Sequence, residues 1–143
     1  MIEPAPILVE RTYAVTPDRV WEALTDRDKL AIWYVEIPNF ELNKGAEFNF
    51  YESKGSNRYH YRIKILDVKP NELLRYAWSH PAESEGLSVV TWHLTPRGNA
   101  TAVKVLHEGI ENFSDAGELL DRAKYEKGWN TILGTSLANF LEE

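Results

Sequence analysis

The chain contains no cysteine, so disulfides and thiol chemistry are not open to it and the fold has to be held by packing alone. Long hydrophobic runs are missing too. Nowhere do about 18 apolar residues follow one another, and Met1 to Val9 has no basic stretch leading into an apolar one, so neither a membrane span nor secretion is expected. The expected setting is the cytoplasm. Positive charge is scarce: 22 Asp and Glu outweigh 16 Lys and Arg, a formal net charge of -6. With no local Lys/Arg cluster to offset it, that balance repels a phosphate backbone, and no nucleic-acid partner is expected. Internal repeats, low-complexity tracts and linkers are absent, and 143 residues suit one hydrophobic core, so a single domain over 1–143 is expected.

Catalytic signatures are equally thin. There is no G-x-S-x-G elbow, no G-x-G-x-x-G loop and no P-loop, so no nucleotide or other cofactor is implied. His60, His80, His93 and His107 fall on separate strands and loops with no close His pair, so no metal site is expected. These absences weigh against an enzyme without deciding the matter.

Aromatic residues are abundant. They make up 12% of the chain, including 5 Trp and 7 Tyr, and their spacing carries most of the structural information. Ile7 to Val15 alternates as a strand, with Ile7, Val9, Arg11 and Tyr13 on one face. Thr16-Pro17 offers an N-cap and a first helical residue that needs no donor, and Val20, Trp21 and Leu24 follow at helical spacing. Thr25 with Asp28 reads as a capping box for a second short helix bearing Leu30 and Trp33.

From Val35 to His107, β-rich runs alternate with turn clusters at 43–45, 53–57, 69–71, 81–86 and 96–99, the pattern of an antiparallel meander. Phe48 and Phe50 share a face, as do Tyr59, Tyr61, Ile63 and Ile65, then Leu74, Tyr76 and Trp78, then Val90, Trp92 and Leu94. The opposite faces, with His60, Arg62 and Lys64 or Thr91, His93 and Thr95, are polar, which implies a sheet wet on one side and covered on the other. The cover is a helix over Asp115 to Leu141, capped by Asp115 with Glu118 in its first turn. Its apolar stripe is Trp129, Ile132, Leu133, Leu137, Phe140 and Leu141. Gly128 and Gly134 interrupt it at about 1 kcal/mol each, a cost that a close approach or a local gap would offset.

Strand, two short helices, a long meander and a terminal helix form the helix-grip order. The chain resembles the SRPBCC (START-like, Bet v 1-like) superfamily, in particular the family of the activator of heat-shock protein 90 ATPase. The likeness rests on Val9-Glu10-Arg11-Thr12-Tyr13, Pro17, Val20-Trp21-Glu22-Ala23-Leu24-Thr25-Asp26, Trp33, Leu74-Arg75-Tyr76-Ala77-Trp78, Val90-Thr91-Trp92-His93-Leu94, the Thr101 to His107 strand with its His-Glu-Gly ending, and Gly128-Trp129 with Leu133 and Leu137. Where the family often carries double glycines, this chain has Lys44-Gly45-Ala46 and Gly98-Asn99-Ala100. The resemblance implies an α+β fold in which a curved antiparallel sheet of about six to seven strands is crossed by a long C-terminal helix. It also implies a cavity between the two, a ligand that varies among members, and no shared catalytic set.

Three functions are therefore weighed. The first is non-catalytic binding of a small apolar or amphipathic molecule. Its expected ligand-binding set is Trp33, Phe50, Tyr61, Tyr76, Trp78, Trp92, His107, Trp129 and Leu133, with Arg11 as a polar anchor. Tyr hydroxyls and Trp indoles need partners, and a partly wet pocket would supply them. His107 either donates to a ligand or bonds a backbone carbonyl at its strand end. Arg11, on a covered face, has to meet a carboxylate of the protein or of a ligand, reach a pocket mouth, or sit on an exposed edge. The second function is a co-chaperone-like module that stimulates a chaperone ATPase. It ranks lower because the activator it resembles uses an additional N-terminal domain for much of its binding. The third is a cyclase- or hydrolase-like activity on an aromatic substrate, with His107, Arg11, Tyr61 or Tyr76 as the available polar groups.

Overall fold

Period-two alternation of branched and aromatic residues with polar ones produces six strands among the described residues: β1 (Ile7–Tyr13), β2 (Glu47–Lys54), β3 (Asn57–Lys69), β4 (Leu73–Ser79), β5 (Ser88–Arg97) and β6 (Ala100–Glu108). The structure is a computed structural model and describes residues 6–34, 37, 41–54, 57–113 and 122–141. The strands form one antiparallel sheet in the order β1-β6-β5-β4-β3-β2. β2 to β6 is thus a meander, and β1 closes beside the last strand. The expected α+β helix-grip architecture is the one observed. The Tyr59 side chain, the start of the meander at Val35, the 55–56 turn and the Asp115/Glu118 cap lie outside the described residues.

Turn chemistry sets the register. Gly98 has φ +63° in the two-residue link between paired Arg97 and Ala100, the sign a type II′ hairpin needs at its first central residue. At the β3–β4 turn Pro70 is followed by Asn71 at φ +65°, and Glu72 N–H donates to the Lys69 carbonyl at 2.9 Å. Pro followed by a residue tolerant of positive φ is the type II pattern.

Between β1 and β2 lie α1 (Pro17–Thr25) and α2 (Arg27–Trp33). The caps depart from expectation. Thr16 occupies the N-cap of α1 but its hydroxyl makes no cap bond; instead it bonds Asp18 and holds that carboxyl below its usual range. Asp26, not Thr25, caps α2, accepting from Asp28 N–H at 2.9 Å and Lys29 N–H at 3.2 Å. Thr25 Oγ1 donates back to the Trp21 carbonyl at 2.6 Å. A carboxylate accepts both free amides, whereas the threonine hydroxyl is already engaged within its own helix.

The C-terminal helix is described from α3 (Arg122–Thr131) through a π-helical turn (Ile132–Ser136) to α4 (Leu137–Leu141). Trp129, Leu133, Leu137 and Leu141 are buried against the sheet, four residues apart each time. In an unbroken α-helix, 12 residues turn through about 1200°, some 120° past whole turns. Absorbing one residue in a π turn brings Trp129 and Leu141 back to within about 20° of one face. The widening is what lets a four-residue stripe stay on the sheet.

The core holds Phe48, Phe50, Tyr61, Ile63, Ile65, Leu74, Tyr76, Trp78, Val90, Trp92 and Leu94, the inward faces read from alternation. Outer-face positions are covered too, among them Leu73, Ala77, Ala102 and Thr91. Thr91 is 1% exposed because Arg75 from the adjacent strand lies over it, donating Nε–H to Thr91 Oγ1 at 3.1 Å.

Candidate functional site

Under the C-terminal helix the aromatic residues form one layer. Phe50 stacks on Tyr61 at 5.1 Å, Tyr61 meets Trp78 at 5.2 Å, and Trp92 meets Trp129 edge-on at 5.7 Å. Sheet register builds it: Phe50 pairs with Tyr61 and Ile63 with Trp78, while Trp92 lies opposite Leu74. Tyr76, also buried, accepts a hydrogen bond from Trp92 Nε1 at 3.1 Å. Seven of the sequence-derived candidates, Phe50, Tyr61, Tyr76, Trp78, Trp92, His107 and Trp129, therefore come together. Trp33 is also buried, but its indole is committed to α1, donating to the Ala23 carbonyl at 2.7 Å.

His107 does not bond a backbone carbonyl. It is fully buried, its Nδ1 accepts from Trp129 Nε1 at 3.0 Å, and its Nε2 lies 2.8 Å from Ser88 Oγ. An indole nitrogen only donates, so Nδ1 carries no proton and the hydrogen sits on Nε2, donating to Ser88. Ser88 Oγ passes its own proton to the Trp78 carbonyl at 2.9 Å. Burial, reinforced by nearby His80, pushes the His107 pKa down from 6.5 to about 3, in keeping with a neutral ring whose two nitrogens are both used.

A second knot joins β4 to α3. Trp78 Nε1 donates to His80 Nε2 at 3.1 Å, and the Tyr125 hydroxyl meets the same nitrogen. Burial raises the pKa of both Tyr76 and Tyr125 above the usual range. Four of the five indoles thus find acceptors inside the protein. The expectation that they need a wet pocket gives way to acceptors within the protein: His80, Tyr76 and His107 for Trp78, Trp92 and Trp129, and the Ala23 carbonyl for Trp33. Sequence reasoning gave Ser88, His80 and Tyr125 no part in this layer. The usable signal was that Tyr125 lies one helical turn before Trp129, and His80 two residues beyond Trp78.

Open space lies beside this layer. A groove of about 540 Å³ runs between the end of β1 and the C-terminal helix, lined by Arg11, Thr12, Tyr13, Ala14 and Val15 on one side and Leu133, Gly134, Ala138 and Leu141 on the other. Two of the sequence-derived candidates, Arg11 and Leu133, are in its wall. The Tyr13 hydroxyl donates to the Leu133 carbonyl at 2.6 Å, fastening β1 to the π turn. Its pKa is raised by burial and pulled back in part by Arg11. Among the described residues Arg11 takes no protein carboxylate, and it is not buried. It is exposed, donating to the Glu10 carbonyl at 2.8 Å and to Asn130 Oδ1 at 3.1 Å. A Cβ built on Gly134 would lie 3.9 Å from Arg11 Nε, so the side chain passes directly over the glycine. At Gly128 a Cβ would meet nothing within 4 Å.

Among the described residues no cluster of three or more His, Asp or Glu is placed to hold a metal ion, and no helix is long and apolar enough to cross a membrane. Residues 14–142 match the family model described as Activator of Hsp90 ATPase homolog 1-like protein. No curated protein matches the chain. Among solved structures, a protein of Chromobacterium violaceum superposes with TM-score 0.83 at 20% identity, covering 99% of each chain. A protein of Rhizobium loti gives 0.79 at 24% identity, with 95% of this chain and 96% of that one covered. One from Mesorhizobium loti gives 0.78 at 24%, covering 96% of each. At such identities the likeness speaks for the fold alone, which all three share with this chain over nearly their full length.

Proposed function

Because the chain belongs to the family of Activator of Hsp90 ATPase homolog 1-like proteins, we propose that it binds a small apolar or amphipathic molecule between its sheet and its C-terminal helix without transforming it. The observation that carries this reading is the groove of about 540 Å³ between β1 and the π turn, within the roughly 300–1,000 Å³ typical of small-molecule sites. Its walls combine aliphatic side chains with one guanidinium, the composition that orients an amphipathic guest. Arg11 contacts the ligand directly in this reading, and Leu133, buried against the sheet, backs the groove wall. Tyr76, Trp78, Trp92, His107 and Trp129, with Phe50, Tyr61 and Trp33, form the aromatic interior that a larger ligand reaches only by opening indole hydrogen bonds. The absence of catalysis is supported by the use of the interior polar atoms: His107, Ser88 and the Trp129 indole are bonded to one another rather than aimed at open space.

The test is native mass spectrometry of the purified protein with solvent extraction of whatever accompanies it. Wild type is expected to retain a small molecule that Ala138→Phe, which fills the groove, releases. Equal retention by both proteins overturns the reading. A second reading, stimulation of a chaperone ATPase, is favoured by the family description alone. It is tested by the ATPase rate of the host's own chaperone with and without this protein; an unchanged rate removes it.

A further inference from the structure

We infer that the outer face of the sheet around β6 is a contact surface for a second copy of this chain, packed across a two-fold axis at Leu106. Along β6 the inward Val103, Val105 and His107 are fully buried. On the opposite face Lys104 and Glu108 are exposed and Leu106 between them is half-buried. Leu8 of β1 lies in register beside Leu106, and half-buried Val89 of β5 lies beside Glu108. Leu87, two residues before Val89, alternates onto the same face. Leu8 is 59% exposed and Leu87 53%. Two of the four exposed large hydrophobic residues among those described therefore fall on one corner of the outer face, with Leu106 and Val89 joining them. An apolar surface that is contiguous and rimmed by charge marks an interaction site, whereas scattered single leucines do not.

The flanking charges choose the occupant. Outward along β6 the order is Lys104, Leu106, Glu108, a cation and an anion set evenly about an apolar centre. In a two-fold contact, residue i of one copy meets residue j of the other, and j meets i. With the two β6 strands antiparallel across the axis, Leu106 meets Leu106, Leu8 comes against Leu8, and each Lys104 faces the other copy's Glu108. The parallel arrangement sets Lys104 against Lys104 and Glu108 against Glu108, and like charges oppose it. Facing sheets pack about 10 Å apart with their strands within about 30° of one another, a gap that lysine and glutamate side chains span from its two sides. Both charges are available. Among the described residues the ion pairs join Lys29 to Glu22, Arg62 to Glu47 and Arg122 to Glu126, and none includes Lys104 or Glu108. Glu10, in register with Lys104, is not joined to it either. A different protein would have to reproduce this spacing of charge and apolar surface, whereas a second copy carries it already.

The experiment is sedimentation equilibrium of the full chain over rising concentration, at low and high salt. It is run on wild type, Leu8→Asp, Lys104→Glu, Glu108→Lys and the double variant Lys104→Glu/Glu108→Lys. All the changed side chains are exposed, and circular dichroism checks each fold. Wild type is expected to pass from monomer to dimer as concentration rises, less readily in high salt. Leu8→Asp, which puts a charge into the apolar contact, is expected to weaken the dimer at least about tenfold. Each single charge variant sets like charges against each other and is expected to weaken it by a similar factor. The double variant exchanges the two ends, keeps the pairing and is expected to restore the dimer. A chain that stays monomeric at every concentration overturns the inference and leaves the patch to a different protein. A dimer that Leu8→Asp leaves unchanged overturns it by placing the contact elsewhere. A double variant no tighter than the single ones overturns the two-fold pairing of Lys104 with Glu108. None of these residues lines the groove, so retention of a small molecule there stands or falls separately.

Discussion

A buried imidazole with both nitrogens engaged cannot take a proton without breaking a hydrogen bond, and His107 is in that position between Trp129 and Ser88. Above about pH 6.5, the ordinary value, the ring is neutral in both the folded and the unfolded chain and gives no pH dependence. Below it the unfolded chain takes up a proton that the folded chain refuses until about pH 3. Stability therefore falls on acidification, by about 1.4 kcal/mol per pH unit within that window. Partly exposed His93, also shifted downward by burial and by Lys104 and Arg75, acts with the same sign. Urea denaturation at pH 7.5 and pH 5 measures the effect. Wild type is expected to lose more stability between the two than His107→Phe, and an identical loss would assign the acid sensitivity to other groups. At pH 7.5 His107→Phe is itself expected to cost about 2–3 kcal/mol, because it leaves the Trp129 indole N–H buried without an acceptor and takes away the donor to Ser88 Oγ, which keeps its own bond to the Trp78 carbonyl. Tyr13→Phe removes one bond to the Leu133 carbonyl and is expected to cost about 1 kcal/mol. Alternation with Val103 and Val105 in the sequence puts His107 on the covered face, and all three are fully buried. The partners of His107 were not legible, since they come from β5 and from the helix.

Caps and the π turn decide how well the elements hold together. Asp26 satisfies two free amides of α2, so Asp26→Ala is expected to lower stability by about 1 kcal/mol, whereas Thr16→Ala, with no cap bond to lose, is expected to cost less. Thermal melts of the two variants give the comparison. In the C-terminal helix Gly128 faces open space, so Gly128→Ala is expected to gain up to about 1 kcal/mol from helix propensity with no clash to offset it. A drop in melting temperature would refute that reading. The two glycines looked equivalent in sequence, and the structure separates them: one stands before nothing, the other passes beneath Arg11. Nor was the π turn legible, because a four-residue stripe is read by eye as ordinary helix. Only the requirement that Trp129 and Leu141 meet one sheet shows that a residue has to be absorbed between them.

At the scale of the whole molecule, groove and fold are coupled. A ligand that binds only the folded chain stabilises it, by about 2.7 kcal/mol at 100 times its dissociation constant. Decanoate, taken as a simple amphipathic probe of the proposed binding and held at a fixed concentration, is therefore expected to raise the melting temperature of wild type and to leave Ala138→Phe unchanged; an equal rise in both would place the binding outside the groove. By itself the sequence determined most of the inward faces, Arg11 and Thr91 apart, the order of strands and helices along the chain, and the Trp and Tyr residues of the sheet's aromatic layer, because periods of two and 3.6 are local properties of the chain. The tertiary structure alone decided that four indoles find acceptors inside the protein, that Arg11 stands at a groove with no carboxylate partner among the described residues, and where that groove opens. These depend on contacts such as Tyr13 to Leu133, 120 residues apart, whose geometry is set by sheet register and helix docking and leaves no trace in local pattern.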